Sequence, residues 1–293
     1  GMAFKPYLLA IPLLVEIFLL WEKRSWRSLF RAEIMGMAAA VAAYPVLVWR
    51  FTPQYFTEIL PLVLRTYGAF QITFSETVMR PAVASFVLFL GIAVYFVWQR
   101  GLQQRGMWVW IFAGLGGGLC YLAQLKGWPY QLLPAMIFIS IPVLLNGLRN
   151  SARVARIFAL GCFGIVMIKG LTNFASEQNE RLAYVDDLLD GRKPQRMMAF
   201  THDLGVIFPY IEVRGIVWAS RFQSFWMMPA VSRELIPVAQ KNEVIARTTE
   251  AVTEDLIRWK PDFVIVDRRS DEVRLRGHEV EYIPWFSRSP AFA

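Results

Sequence analysis

Apolar residues fall into six long blocks along the first part of this chain: Tyr7–Trp21, Ile34–Phe51, Pro81–Trp98, Met107–Gln124, Tyr130–Asn146 and Ile157–Asn173. Their interiors carry almost no charge. An α-helix needs about 20 mostly apolar residues to cross roughly 30 Å of hydrocarbon. Five of the blocks hold 17 or 18 residues, at the short end of that range. One such block is compatible with a buried core helix, but six in series with charged connectors do not fit inside a soluble domain of this size. The pattern predicts an α-helical polytopic membrane bundle of about six transmembrane helices over residues 1–173.

After residue 173 the pattern changes. Arg196–Thr201 (RMMAFT) is a short apolar run that reads as a strand, with a helical stretch near Asp203–Ile211 after it. Gly215–Ser220 is a second strand candidate. Leu235–Trp259 reads as a polar helix, or a pair of them, with charges spaced i, i+4. Phe263–Asp267 (FVIVD), bounded by Pro261, suits a buried parallel strand. Strands alternating with helices predict a small doubly wound α/β domain over residues 174–293. Between the second and third blocks, Thr52–Arg80 is too long and apolar for a simple turn. Tyr55, Ile59, Leu62, Leu64 and Tyr67 recur in it at roughly helical spacing, broken by Pro61. It reads either as an amphipathic segment in the membrane interface or as a helix packed across the bundle.

Composition agrees with a membrane protein: 56% of residues are hydrophobic and 18% charged, with a mean hydropathy of +0.38. The net charge of +8 suggests a nucleic-acid partner until it is divided. Residues 1–173 carry +10 and residues 174–293 carry −2. The excess therefore belongs to the helical part, where the positive-inside rule accounts for it, and no nucleic-acid partner is expected. Nine of those charges (Lys23, Arg24, Arg27, Arg31, Arg100, Arg105, Arg149, Arg153, Arg156) lie on one side of the predicted bundle. Six lie on the other: Lys5, Arg50, Arg65, Arg80, Lys126 and Lys169. This bias puts Thr52–Arg80, the Leu125–Pro129 turn and the tail on the outer face, which in a bacterium is the periplasm. Cys120 and Cys162 both fall inside apolar blocks and argue neither for a disulfide nor for a metal site.

The outer turn Lys126-Gly127-Trp128-Pro129-Tyr130-Gln131 is the most site-like stretch. A lysine there can hold a lipid-linked phosphate as a point charge, while Trp128 and Tyr130 stack on a sugar or line a polyprenyl groove. An aromatic belt with a snorkelling lysine is the plainer alternative. Glu16 is either an intramembrane functional carboxylate or an interfacial one. The Gly114–Gly118 run (GLGGG) lacks the context of a phosphate loop and reads as close helix packing. His202 and His278, the only histidines, sit in no metal-ligand motif, and no metal site is expected.

Several stretches together resemble the later portion of bacterial GT-C-type integral-membrane glycosyltransferases. They are Lys5-Pro6-Tyr7, TPQYFTEILPLVLRTYGAF (Thr52–Phe70), KGWPYQLLPA (Lys126–Ala135), SRFQSFWMMPA (Ser220–Ala230), WKPDFVIVD (Trp259–Asp267) and FSRSPAFA (Phe286–Ala293). Protein O-mannosyltransferases and lipid A aminoarabinose transferases belong to that group. The resemblance implies an enzyme of the bacterial inner membrane that moves a sugar from a polyprenyl-phosphate donor to a glycan, lipid or protein acceptor on the outer face, with a divalent metal as an optional helper and no other cofactor. It implies Lys126 at the donor phosphate, Trp128, Tyr130 and Gln131 along the groove, and Arg221 at phosphate or substrate. A structural salt bridge is the equal alternative for Arg221. The family's catalytic acid lies in an earlier outer loop. Neither Glu58 nor Glu76 matches it, and it is expected upstream of Gly1, with Met2 either a start after a tag residue or an internal methionine. Two other classes compete. A flippase for lipid-linked saccharides calls for internal repeats and paired broken helices, and the sequence contains no repeat. A non-catalytic scaffold whose tail binds a periplasmic partner needs no aromatic-cationic turn.

Overall fold

The computed structural model describes residues 6–99, 105–149, 160–161, 164, 179–268 and 275–292. The chain is mostly helical and divides into two compact units: residues 1–55 with 71–169, and residues 56–70 with 170–293.

In the first unit the apolar blocks become helices. They are α1 (Ala10–Lys23), α2 (Ala32–Phe51), α5 (Pro81–Gln99), α6 (Arg105–Gln124) and α7 (Leu133–Arg149), with the short α4 (Phe74–Val78) before α5. Three of them, α2, α5 and α6, are long and apolar enough to cross a membrane. At 14 and 17 residues, α1 and α7 are shorter. The sixth expected crossing, Ile157–Asn173, lies outside the described residues save for 160–161 and 164, as does Cys162.

Glycine explains how α6 packs. A β-carbon on Gly116 would stand 2.5 Å from the Ile11 Cα of α1, and one on Gly117 would stand 2.7 Å from the Ala135 nitrogen of α7. On Gly118 it would meet the Phe86 ring of α5 at 3.0 Å. The glycine run therefore lets backbones touch, as its sequence suggested. Ile111, Tyr121, Leu132, Ala135 and Ile139 fill the resulting core. Glu16 is held by Arg31 through both carboxylate oxygens, at 2.5 and 2.6 Å. This ion pair joins α1 to the residue that opens α2. No residue of α2 is buried.

The second unit is built on a parallel sheet of β1 (Arg196–Phe200), β2 (Val217–Trp218) and β3 (Phe263–Val266), ordered β2-β1-β3. Four of the five residues of β1 are buried, as both faces of a covered parallel strand should be. Met197 and Ala199 face α8, described over 179–189, and α9 (Phe208–Arg214). Met198 and Phe200 face α10 (Met228–Ser232), α11 (Val238–Trp259) and α12 (Tyr282–Phe286). Helices thus cover both faces, the doubly wound arrangement read from the sequence.

The Thr52–Arg80 stretch departs from expectation. Its middle, including α3 (Leu60–Thr66), belongs to the second unit rather than to the helical bundle. Leu62 packs on the core of that unit and Ala69 is inside it. Tyr67 meets Trp226 edge-to-face at 5.9 Å, and the Arg233 guanidinium donates to the Ala69 carbonyl. Of the residues that recur at helical spacing, Leu62 packs on that core while Tyr55, Ile59, Leu64 and Tyr67 stay exposed.

Two outcomes follow from this packing. Gly117→Ala places a methyl against the α7 backbone and should cost about 1–3 kcal/mol, read as a lower unfolding temperature in detergent. Gly36→Ala, with nothing within 4 Å of the new carbon, should leave it unchanged. The second concerns Asp262, whose carboxylate accepts the backbone N–H groups of Gln195 and Arg196 at 2.8 and 2.9 Å. The Arg196 amide, then the Gln195 amide, hold its carboxyl below the ordinary range. A lowered native value stabilises the fold above the unfolded value of about 3.9, and that contribution is lost as pH falls further. In thermal melts the gap between wild type and Asp262→Asn should be open at neutral pH and close below about pH 4.

Candidate functional site

Helix α6 reverses into α7 through Leu125–Leu132, and the turn is built from constrained backbone. Leu125 (φ 50°) and Gly127 (φ 65°) are both left-handed. Glycine adopts that conformation freely, whereas leucine in it carries strain of about 1 kcal/mol or more. The Leu125 carbonyl accepts the Ile72 amide at 2.7 Å, which ties the turn to the residues before α4. Trp128 is extended, and Pro129 opens a 3₁₀ turn, Pro129–Leu132, that leads into α7.

On this frame the predicted site residues Lys126, Trp128, Tyr130 and Gln131 come together. The Lys126 side chain is only 7% exposed, and its ammonium lies 4.8 Å from the centroid of the Trp128 ring. A snorkelling lysine would hold its charge out in water. Instead this one is folded under an aromatic face, which offsets part of the desolvation. Trp128 in turn stacks on Tyr130, with centroids 5.8 Å apart and planes 23° from parallel. Tyr130 remains exposed, so a flat aromatic surface lies at the edge of the cluster. Gln131 donates to Gln124 Oε1 at 2.7 Å, and Gln124 donates to the Cys120 carbonyl at 3.0 Å. The Gln131 side-chain oxygen is buried with no hydrogen-bond partner among the described residues.

A fifth residue joins them that the sequence did not single out. Arg80, directly before α5, lies with its Nε 3.2 Å from where a Gly127 β-carbon would stand. Its guanidinium makes no ion pair or side-chain hydrogen bond among the described residues. Its only sequence signal was one positive charge before Pro81. Two cations, a bare glycine backbone and a stacked aromatic pair therefore meet where α5, α6 and α7 converge. Such a set suits a phosphate ester bearing a ring.

Arg221 belongs to the second unit and has a different occupation. Its guanidinium meets Glu254 at 2.7 Å and Asp255 at 3.0 Å, and its amide donates to Asp255 at 2.8 Å. The Glu254 bond and the Asp255 carboxylate hold its proton more tightly than usual. Two carboxylates this close repel a phosphate, so of the two readings the geometry supports the salt bridge. The remaining carboxylate candidate of the outer stretch outside the second unit, Glu76, closes a capping box with Thr73 at the start of α4. His202 is buried just past β1, and His278 is exposed.

No known protein family, curated protein or solved structure matches this chain.

The role of Gly127 can be tested directly. Gly127→Ala adds a carbon 2.6 Å from the Ile72 side chain and 3.2 Å from Arg80, at positive φ. It should cost about 1–2 kcal/mol and lower the protection of Arg80 from a guanidinium-modifying reagent, read by mass spectrometry.

Proposed function

We propose that this protein acts in a bacterial inner-membrane glycosyltransferase that passes a sugar from a polyprenyl-phosphate donor to an acceptor on the periplasmic face. The convergence of Arg80 and Lys126 at Gly127, beside the Trp128–Tyr130 stack, carries this reading. The site lies at one end of helices apolar enough to stand in a bilayer, and a lipid-linked donor presents its phosphate at that depth. In this reading the chain crosses the membrane six times, with the α/β unit outside.

The chemistry asks little else of these residues. An acceptor hydroxyl attacks the anomeric carbon as the sugar–phosphate bond breaks, and polyprenyl phosphate departs with the extra negative charge. Arg80 and Lys126 stabilise that developing charge, Lys126 in a site from which water is largely excluded. Tyr130 offers its face to the sugar, and the Gln131 oxygen is ready to accept a sugar hydroxyl. The acceptor's proton passes to a carboxylate base of the same transferase, for which the family resemblance offers no residue of this chain. Glu16, bound to Arg31, is not assigned that role.

The test is sugar transfer from a radiolabelled polyprenyl-phosphate sugar in membrane vesicles. Arg80→Ala and Lys126→Ala should each lower turnover about 100-fold, with the protein still folded. Wild-type turnover in both variants would remove the assignment.

A further inference from the structure

Along α11 the residues Glu243, Arg247, Glu250 and Glu254 recur at i, i+4, i+7 and i+11, one stripe of a helix. In sequence they are charges spaced i, i+4 on a polar helix. In the structure they form one wall of a cleft of about 930 Å³ inside the second unit. The opposite wall is the 57–65 stretch, with Glu58 and Arg65, and Leu62, Phe222, Met227 and Val244 supply the apolar base. The cleft is the size of those that hold small organic ligands rather than folded partners.

The charges in it are unequally used. Arg65 is 3.8 Å from Glu243, Arg247 is 3.0 Å from the same residue, and Arg221 is held by Glu254 and Asp255. Three guanidiniums thus face three carboxylates, Glu243, Glu254 and Asp255, and their charges cancel as a group. Glu58 and Glu250 stand outside that group: neither carboxylate has an ion pair or a hydrogen bond among the described residues. What the cleft has to spare is negative charge and hydrogen-bond acceptance, which favours a cationic ligand over a phosphate or carboxylate. Its exposed Arg–Glu pairs also keep free N–H groups and oxygen lone pairs, a mixed array that hydroxyl groups satisfy in both senses. The half-buried ring of Phe222 adds a flat apolar face.

We propose that this cleft is a binding site for a short saccharide bearing a protonated amine. The ammonium lies between Glu58 and Glu250, and hydroxyls pair with the Arg247 and Glu254 side chains. The site is distinct from the Lys126–Arg80 cluster, and binding to it is read without sugar transfer, so its failure and that of the transferase reading are separable.

The full chain in detergent is titrated by calorimetry with a glucosamine trimer, its fully N-acetylated counterpart and trilysine. The glucosamine trimer should bind, with affinity at least tenfold above that of the acetylated form. Glu58→Gln and Glu250→Gln, both exposed and isosteric, should each weaken it about tenfold. Glu212→Gln, on α9 over the other sheet face, should leave it unchanged. Equal affinity for the acetylated trimer, or indifference to both glutamine substitutions, overturns the proposal. Trilysine binding as tightly as the glucosamine trimer also overturns it, because the cleft then reads charge alone.

Discussion

Backbone contact at α6 is the constraint from which the first unit follows. In a hydrocarbon solvent, apolar side chains gain little by meeting one another instead of lipid, so helices associate through close van der Waals approach. Gly116, Gly117 and Gly118 point in different directions around one helix, toward α1, α7 and α5. One run of small residues thus lets three helices close on a fourth. The end of α6, the start of α5 and the start of α7 are brought to one place as a result, and with them Lys126, Arg80 and Trp128. The cations are not drawn together by their own chemistry, since like charges repel. Packing elsewhere holds them.

The second unit is held together by burial. Its sheet is narrow, and β2 contributes only two residues, so burial of both faces must supply the stability. Aromatic rings do much of this on the side of α10 to α12: Phe200 meets Phe225 and Phe286 edge-to-face at 5.6 and 5.2 Å. Asp255, buried beneath that layer, is tolerated because Arg221 and its amide satisfy it. The same bonds turn one side of Arg221 toward the cleft while cancelling its charge.

Much of this was legible in the order of residues. The three strands and the long polar helix of the tail follow from local period and length, and the glycine run announced close packing. The turn residues 126–131 were visible because charge and aromatics are adjacent there. Arg80 was not, since its neighbours in space lie more than 40 positions away and nothing local marks it. Nor was the occupation of Arg221, whose partners stand 33 and 34 residues further on. The α11 stripe was legible as a row of charges but not as a wall. Spacing places four charged residues on one face, but only the fold decides whether that face meets open water or a wall. The 56–70 stretch shows the same limit, because of its periodic apolar residues only Leu62 packs on a core while Ile59, Leu64 and Tyr67 stay exposed.

That stretch bears on how the chain comes into being. The hydrophobic core of the α/β unit includes Ala69 and rests on Leu62, yet the strands of its sheet are made only from residue 196 onward. A ribosome releases the piece early and the rest of its setting about 130 residues later. Until then the piece must wait, its ends fixed by the helices on either side, for a partner still unsynthesised. The α/β unit is therefore bound to the helices of the first unit in time as well as by covalent bonds, and its assembly cannot run ahead of theirs.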